Sequence, residues 1–214
     1  MKKFTLSIYA LLIATIFYGQ KFEGTITYTL DYELPEMMEA QRSMLPTNMI
    51  THCKKEYSRV EQKTAMGEQI VITNNENGAS TLLMNMMGQK MAIEVSQADQ
   101  KPKSSSNPVI TYYEETKKIA GYDCKKASYT VYVEEQKDSV SIDLFYTPEI
   151  PVIYNSQFEN LKGLPLEYSL NTQGMTMEFV ANKVDVKKLS KTLFEVPKDY
   201  EKITLEEFKS MMGQ

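Results

Sequence analysis

The chain reads as a mainly β protein with few helices: a curved antiparallel sheet or half-barrel carrying a lid helix and a short C-terminal helix. Three observations predict it. Apolar and polar residues alternate with a period of two along much of the 214-residue chain, as in a sheet with one buried and one wet face. Glycine-containing turns separate the alternating runs at hairpin spacing. The connections leave no room for the helical crossovers that parallel strands require.

The first element lies before the sheet. Met1-Lys2-Lys3 precedes an apolar run from Phe4 to about Tyr18, followed by the small Gly19. That order is the pattern of a secretory signal peptide. Thr5, Ser7 and Thr15 interrupt the run, which falls short of the roughly 20 residues of a spanning helix. The expectation is a signal peptide over residues 1–19, cleaved near Gly19 or Gln20. No cysteine lies near that boundary to carry a lipid. Residues 20–214 are expected to form one domain, periplasmic or secreted and not membrane-spanning.

The first strand begins at Phe22. Phe22, Gly24, Ile26, Tyr28, Leu30 and Tyr32 alternate with Glu23, Thr25, Thr27, Thr29 and Asp31. Pro35 to Leu45 then places Met37, Met38, Gln41, Met44 and Leu45 at helical spacing, and Pro46 ends the run. A helix there must bury its stripe, and the sheet's apolar face is the available partner. Met37, Met38, Met44 and Leu45 are therefore candidates for the wall of an apolar cavity under this lid. Methionine, which occurs 14 times, tolerates several packings and suits a wall that accepts variable chains. The plainer expectation is a helix that plugs the core.

Met49 to Glu61 reads as the next strand. Asn77-Gly78 turns the strand near Ile70 to Thr73 into the one near Leu82 to Met86. Met87-Gly88-Gln89 and Thr172-Gln173-Gly174 supply two further turns with glycine at positive φ. Gln97 to Pro108, rich in serine and proline, reads as a hairpin loop rather than a domain boundary. Alternation returns at Ala127 to Val133, Val140 to Tyr146, Leu164 to Leu170 and Met175 to Ala181. The total is roughly nine to eleven strands. Thr204-Leu205-Glu206-Glu207 is a capping box that opens the C-terminal helix.

The chemistry-bearing residues are sparse. His52 is the only histidine and sits beside Cys53. Neighbours on a strand point to opposite faces, so the two form no dyad with each other. One histidine and two distant cysteines do not make a metal site. Ser104 to Ser106 lack the surroundings of a nucleophile elbow, and no phosphate-binding glycine motif is present. Glu114-Glu115 and Glu134-Glu135 diverge on strands or turns. No catalytic, cofactor-binding or metal-ligating residue is therefore assigned, and an enzyme is the least supported class. The net charge of −4 argues against nucleic-acid binding, which usually shows a basic face. In an oxidising compartment Cys53 and Cys124 could form a disulfide or remain separate thiols.

Several segments carry a resemblance. They are Phe22-Glu23-Gly24-Thr25-Ile26, Ile119-Ala120-Gly121-Tyr122-Asp123-Cys124-Lys125-Lys126, Phe145-Tyr146-Thr147-Pro148, Leu161-Lys162-Gly163-Leu164-Pro165-Leu166-Glu167 and Phe194-Glu195-Val196-Pro197-Lys198-Asp199-Tyr200. In this order they resemble exported Bacteroidetes proteins of the domain of unknown function 4412 family. That family is similar to the periplasmic lipoprotein-carrier fold of LolA. The resemblance implies a curved antiparallel sheet wrapping helices, an apolar cavity for acyl chains, and no catalytic residues. The function expected from it is a periplasmic binding or carrier module for a lipid, a lipoprotein acyl chain or another apolar ligand. The alternative is a structural or interaction protein of the envelope with a filled core.

Overall fold

The computed structural model describes residues 22–86, 88–96, 107–133, 137–172 and 174–211. The expected signal peptide, most of the loop from Gln97 and the Glu134-Glu135 pair lie outside them. Twelve strands form one sheet among the described residues: β1 (Glu23–Glu33), β2 (Asn48–Lys54), β3 (Tyr57–Thr64), β4 (Gly67–Asn74), β5 (Ser80–Met86), β6 (Gln89–Val95), β7 (Val109–Ile119), β8 (Tyr122–Val133), β9 (Asp138–Thr147), β10 (Leu164–Thr172), β11 (Met175–Val186) and β12 (Glu201–Thr204). The order is β12-β6-β5-β4-β3-β2-β1-β11-β10-β9-β8-β7. Two meanders thus join where β1 pairs antiparallel with β11. The fold is mainly β, a curved and unclosed sheet, as the alternation predicts.

The curvature follows from contacts along the sheet. The edge strand β7 returns to touch β11, four positions away. Flat strands that far apart would lie roughly 19 Å from each other at about 4.8 Å per step. Bulges between Thr27 and Tyr28, between Pro165 and Glu167, and between Tyr112 and Thr116 bend the ladder, since an unpaired residue increases local twist.

Two features depart from the expected meander. Met49 to Glu61 is not one strand but the hairpin β2–β3, turning at Lys55 with φ 50°. Lys55-Glu56 carries none of the usual turn residues, so nothing in the sequence marked it. The second departure is β12, which pairs parallel with β6. The long return from β11, residues 187–200, runs across the outer face of the sheet to reach that edge.

Residues of alternate registers build two cores. On the concave face Leu30, Phe179, Tyr168, Leu144 and Ala127 form a buried row across β1, β11, β10, β9 and β8. On the outer face Ile70, Ile72, Leu83 and Ala92 are covered by Phe194, Leu193 and Leu189 of the return segment. The helix α1 (Leu205–Met211) follows β12 directly. Its capping box forms as expected: the Glu207 amide donates to Thr204 Oγ1 at 3.1 Å, and the Thr204 amide donates to Glu207 Oε2 at 2.6 Å. No helix among the described residues is long and apolar enough to cross a membrane.

Candidate functional site

The concave face is filled over half its width by the connection between β9 and β10. Pro148 and Pro151 bar a regular strand there, and two short 3₁₀ turns, Val152–Tyr154 and Ser156–Phe158, follow. Ile150, Tyr154, Phe158 and Leu161 of this plug are buried in the main core. The Phe158 ring meets Tyr168 and Tyr129 edge-on, with centroids 5.1 and 5.2 Å apart, an arrangement that suits the ring quadrupoles. Tyr168 in turn stacks on Phe179 at 4.6 Å. The Tyr154 hydroxyl donates to the carbonyls of Phe22 and Lys55, which pins the plug to the turn that ends β2.

The plug stops short of the other half. The concave row continues from Ile26 and Thr51 through Val60, Val71 and Leu82, and the last three are only half-buried. Between Val60 and Val71 on one side and Tyr154 to Gln157 of the plug on the other lies an open cleft of about 250 Å³. Its apolar surface comes from Tyr28, Met49, Val60, Val71, Tyr168 and Phe179. Its polar surface comes from Thr51, Ser58, Gln62, Thr73 and Asn75 on the strand side, and from Asn155, Ser156 and Gln157 on the plug.

No lining residue of the cleft carries a charge. Burial raises the ionisation of the Tyr28, Tyr154 and Tyr168 phenols well above the ordinary tyrosine range, so these rings stay neutral. Two of their hydroxyls are also occupied: Tyr28 donates to the Pro165 carbonyl at 2.8 Å, and Tyr154 to the carbonyls named above. Asn75 differs. Its Oδ1 accepts from the Ser58 hydroxyl at 3.3 Å, but its buried Nδ2 has no hydrogen-bond partner among the described residues.

The residues singled out from the sequence fall elsewhere. Pro35 to Leu45 is mostly a 3₁₀-helix, Glu36–Met44, with no buried residue. Met37 is 85% exposed and Met44 51% exposed. Met38 and Leu45 are half-buried, and only Leu45 of the four packs against the core. None of the four lines the cleft. The lid expected there is thus not what covers the concave face. A 3₁₀ turn superposes positions i and i+3, so the α-helical stripe does not form, and the plug already occupies the apolar face it would have sought.

Cys53 and Cys124 are separate, buried thiols in this structure. They lie on β2 and β8, with four strands between those two in the sheet. Burial pushes the Cys124 thiol up to about 11 and Cys53 higher still, which disfavours the thiolate needed for reaction.

His52 faces the outer side, opposite Cys53, as strand alternation requires. Its Nδ1 bonds Thr25 Oγ1 at 2.9 Å and its Nε2 lies 3.3 Å from Glu61 Oε1. Arg59 closes the chain through Glu61 and donates to the Leu193 carbonyl at 3.1 Å. The group clamps the return segment to the sheet and lies on the face away from the cleft.

The plug and cleft were missed in the sequence. A signal existed: the connection from Pro148 to Gly163 is long for a hairpin and rich in Ile, Val, Tyr, Phe and Leu, whereas long connections are uncommon and usually carry a role.

No known family model matches the chain, so the resemblance to the domain of unknown function 4412 family gains no support there. No curated protein matches it either. Among solved structures, the crystal structure of LprF from Mycobacterium bovis is similar, with 11% identity over 85% of this chain and 91% of that one, at a TM-score of 0.36. Nothing about ligand follows from a likeness so distant.

Proposed function

We propose that this chain is a non-enzymatic binding or carrier module whose concave face takes an apolar or amphipathic small molecule. The observation that carries the reading is the cleft between the plug and β2–β4: a concave, uncharged site lined by aromatic and aliphatic side chains interspersed with uncharged polar ones, a lining that suits an amphipathic small molecule. The half-buried His52–Glu61–Arg59 cluster lies on the opposite face and no lining residue of the cleft is charged, which supports binding over catalysis. Export belongs to the same reading, on the pattern of residues 1–19; intact mass of the protein recovered outside the cytoplasm checks it, and retention of Met1 would count against it.

Binding is tested with Nile red, which fluoresces in apolar surroundings, against the wild type and Val60→Glu. Val60 is half-buried and faces the cleft, so a folded variant is expected by circular dichroism. The expected result is saturable binding to the wild type and at least tenfold weaker binding to the variant. Equal binding to both would remove the cleft as the site.

A second reading, a structural or interaction protein with a filled core, has the plug in its favour: Ile150 and Phe158 are fully buried. Absence of any saturable binding to the folded wild type would favour it.

A further inference from the structure

The two edges of the sheet are unlike. β12 is four residues long, whereas β7 is eleven residues long and ends the strand order on the other side. We propose that β7 is a self-association edge: it pairs antiparallel with the β7 of a second copy of this chain, about a two-fold axis at Thr116.

Three observations carry it. The first is availability. An edge strand presents a row of amide and carbonyl groups that another strand can pair with. Tyr113 to Lys118 are all exposed. The bulge in β7 also leaves Tyr113, Glu114 and Glu115 without ladder partners on β8.

The second observation is charge. A run of lysines on an edge repels a second copy of itself. β7 instead reads Glu114-Glu115-Thr116-Lys117-Lys118: two acids, a neutral centre and two bases. Antiparallel pairing about Thr116 sets Glu114 opposite Lys118 and Glu115 opposite Lys117, on both sides of the axis. Every one of these pairs joins opposite charges, which favours the pairing. Parallel pairing in register would set like charges opposite each other throughout, which disfavours it. The run therefore selects both direction and register. Within the chain, Lys117 meets Glu167, Lys118 meets Asp123 and Glu115 meets Lys126. The β7 member of each pair is exposed, and ion pairs of that kind are worth little, so they offer slight competition.

The third observation is closure. A two-fold contact uses each β7 once and stops at a dimer. The far edge offers only the four residues of β12, so pairing of sheet edges does not run on into a filament.

Sedimentation equilibrium tests the proposal. The wild type is expected to show a monomer–dimer equilibrium with no larger species; a monomer mass alone up to about 1 mM would overturn it. Lys118→Glu places like charges across the axis twice and is expected to weaken the dimer about tenfold. Glu114→Lys does the same with the other sign, so a misfolded Lys118→Glu would not shield the proposal. The two changes together restore opposite charges and are expected to bring the dimer back to within about threefold of the wild type. Unchanged dimerisation in the single variants, or no recovery in the double one, would overturn the pairing. Thr116→Cys tests the axis itself. Residues directly opposite on antiparallel strands lie about 4.5–5.5 Å apart at Cα, within reach of a disulfide. With oxidised glutathione as oxidant, Thr116→Cys is expected to couple into a covalent dimer. Glu114→Cys, whose two copies stand apart on either side of the axis, is expected to stay uncoupled; Cys53 and Cys124 are buried. Equal coupling at both positions would mean random collision and would overturn the two-fold contact.

Discussion

Glu61 sits between the His52 ring and the Arg59 guanidinium, and its environment has a measurable consequence. The hydrogen bond to His52, and then Arg59, hold its carboxyl down to about 2 from the ordinary 4.5. A carboxyl whose folded value is depressed contributes stability that is present above the unfolded value and is lost as pH falls toward the folded one. The stabilisation from Glu61 is therefore complete above about pH 4.5 and fades between there and about pH 2. Other paired carboxylates, such as Glu23 with Lys54 and Asp199 with Lys90, move in the same direction, so the wild-type slope alone assigns nothing. Glu61→Gln isolates it. Urea midpoints measured across that window are expected to fall less steeply in the variant; parallel slopes would show that the His52–Glu61–Arg59 chain contributes no pH dependence.

The plug is the element on which the concave face depends, and its last residue before β10 is the sensitive point. A Cβ on Gly163 would overlap the Thr147 carbonyl and crowd Pro148. Those contacts are backbone, so no side chain can swing aside. Here glycine serves close approach of two chains at the mouth of the plug, with no positive φ involved. Gly163→Ala is expected to destabilise by about 2 kcal/mol, in the range for overpacking a tight site. It should also loosen the 3₁₀ turns, seen as faster amide exchange at Leu164, whose amide donates to the Ile150 carbonyl. An unchanged urea midpoint would mean that β9 and β10 can part there at no cost. The segment Glu36–Met44 illustrates the opposite case. Arg42 is tied to Glu39 and to the Tyr32 carbonyl, and the helix fragment buries none of its residues fully.

At the scale of the whole molecule, the return segment from β11 to β12 holds the outer face closed. Lys54 reaches the Leu189 carbonyl, Arg59 the Leu193 carbonyl and Lys90 the Asp199 carboxylate, while Phe194 packs on Tyr57 at 6.1 Å between centroids. Phe194→Ala is expected to cost about 3 kcal/mol, near the lower end for removing a buried aromatic ring, and to raise binding of an apolar surface dye as Ile70, Ile72 and Leu83 open. Wild-type stability in this variant would show that the segment adds little to the second core.

What the sequence determined by itself is the local part of this architecture. Alternation marks β1, β8, β9, β10 and β11 because a half-buried strand must present one face to water and one to the core. Asn77-Gly78 and Gly174 mark turns because positive φ favours glycine. Thr204 and Glu207 mark the start of α1 because a helix start needs acceptors for its free amides. The tertiary structure decided everything that depends on competition between distant segments. The helix fragment after β1 and the plug after β9 both offer apolar residues to one concave face. The plug's larger rings fill it, which leaves Met37 in solvent. The orphaned Asn75 amide, the uncharged cleft and the parallel edge at β12 likewise arise only when residues far apart in the chain meet, and periodicity within a segment carries no record of such meetings.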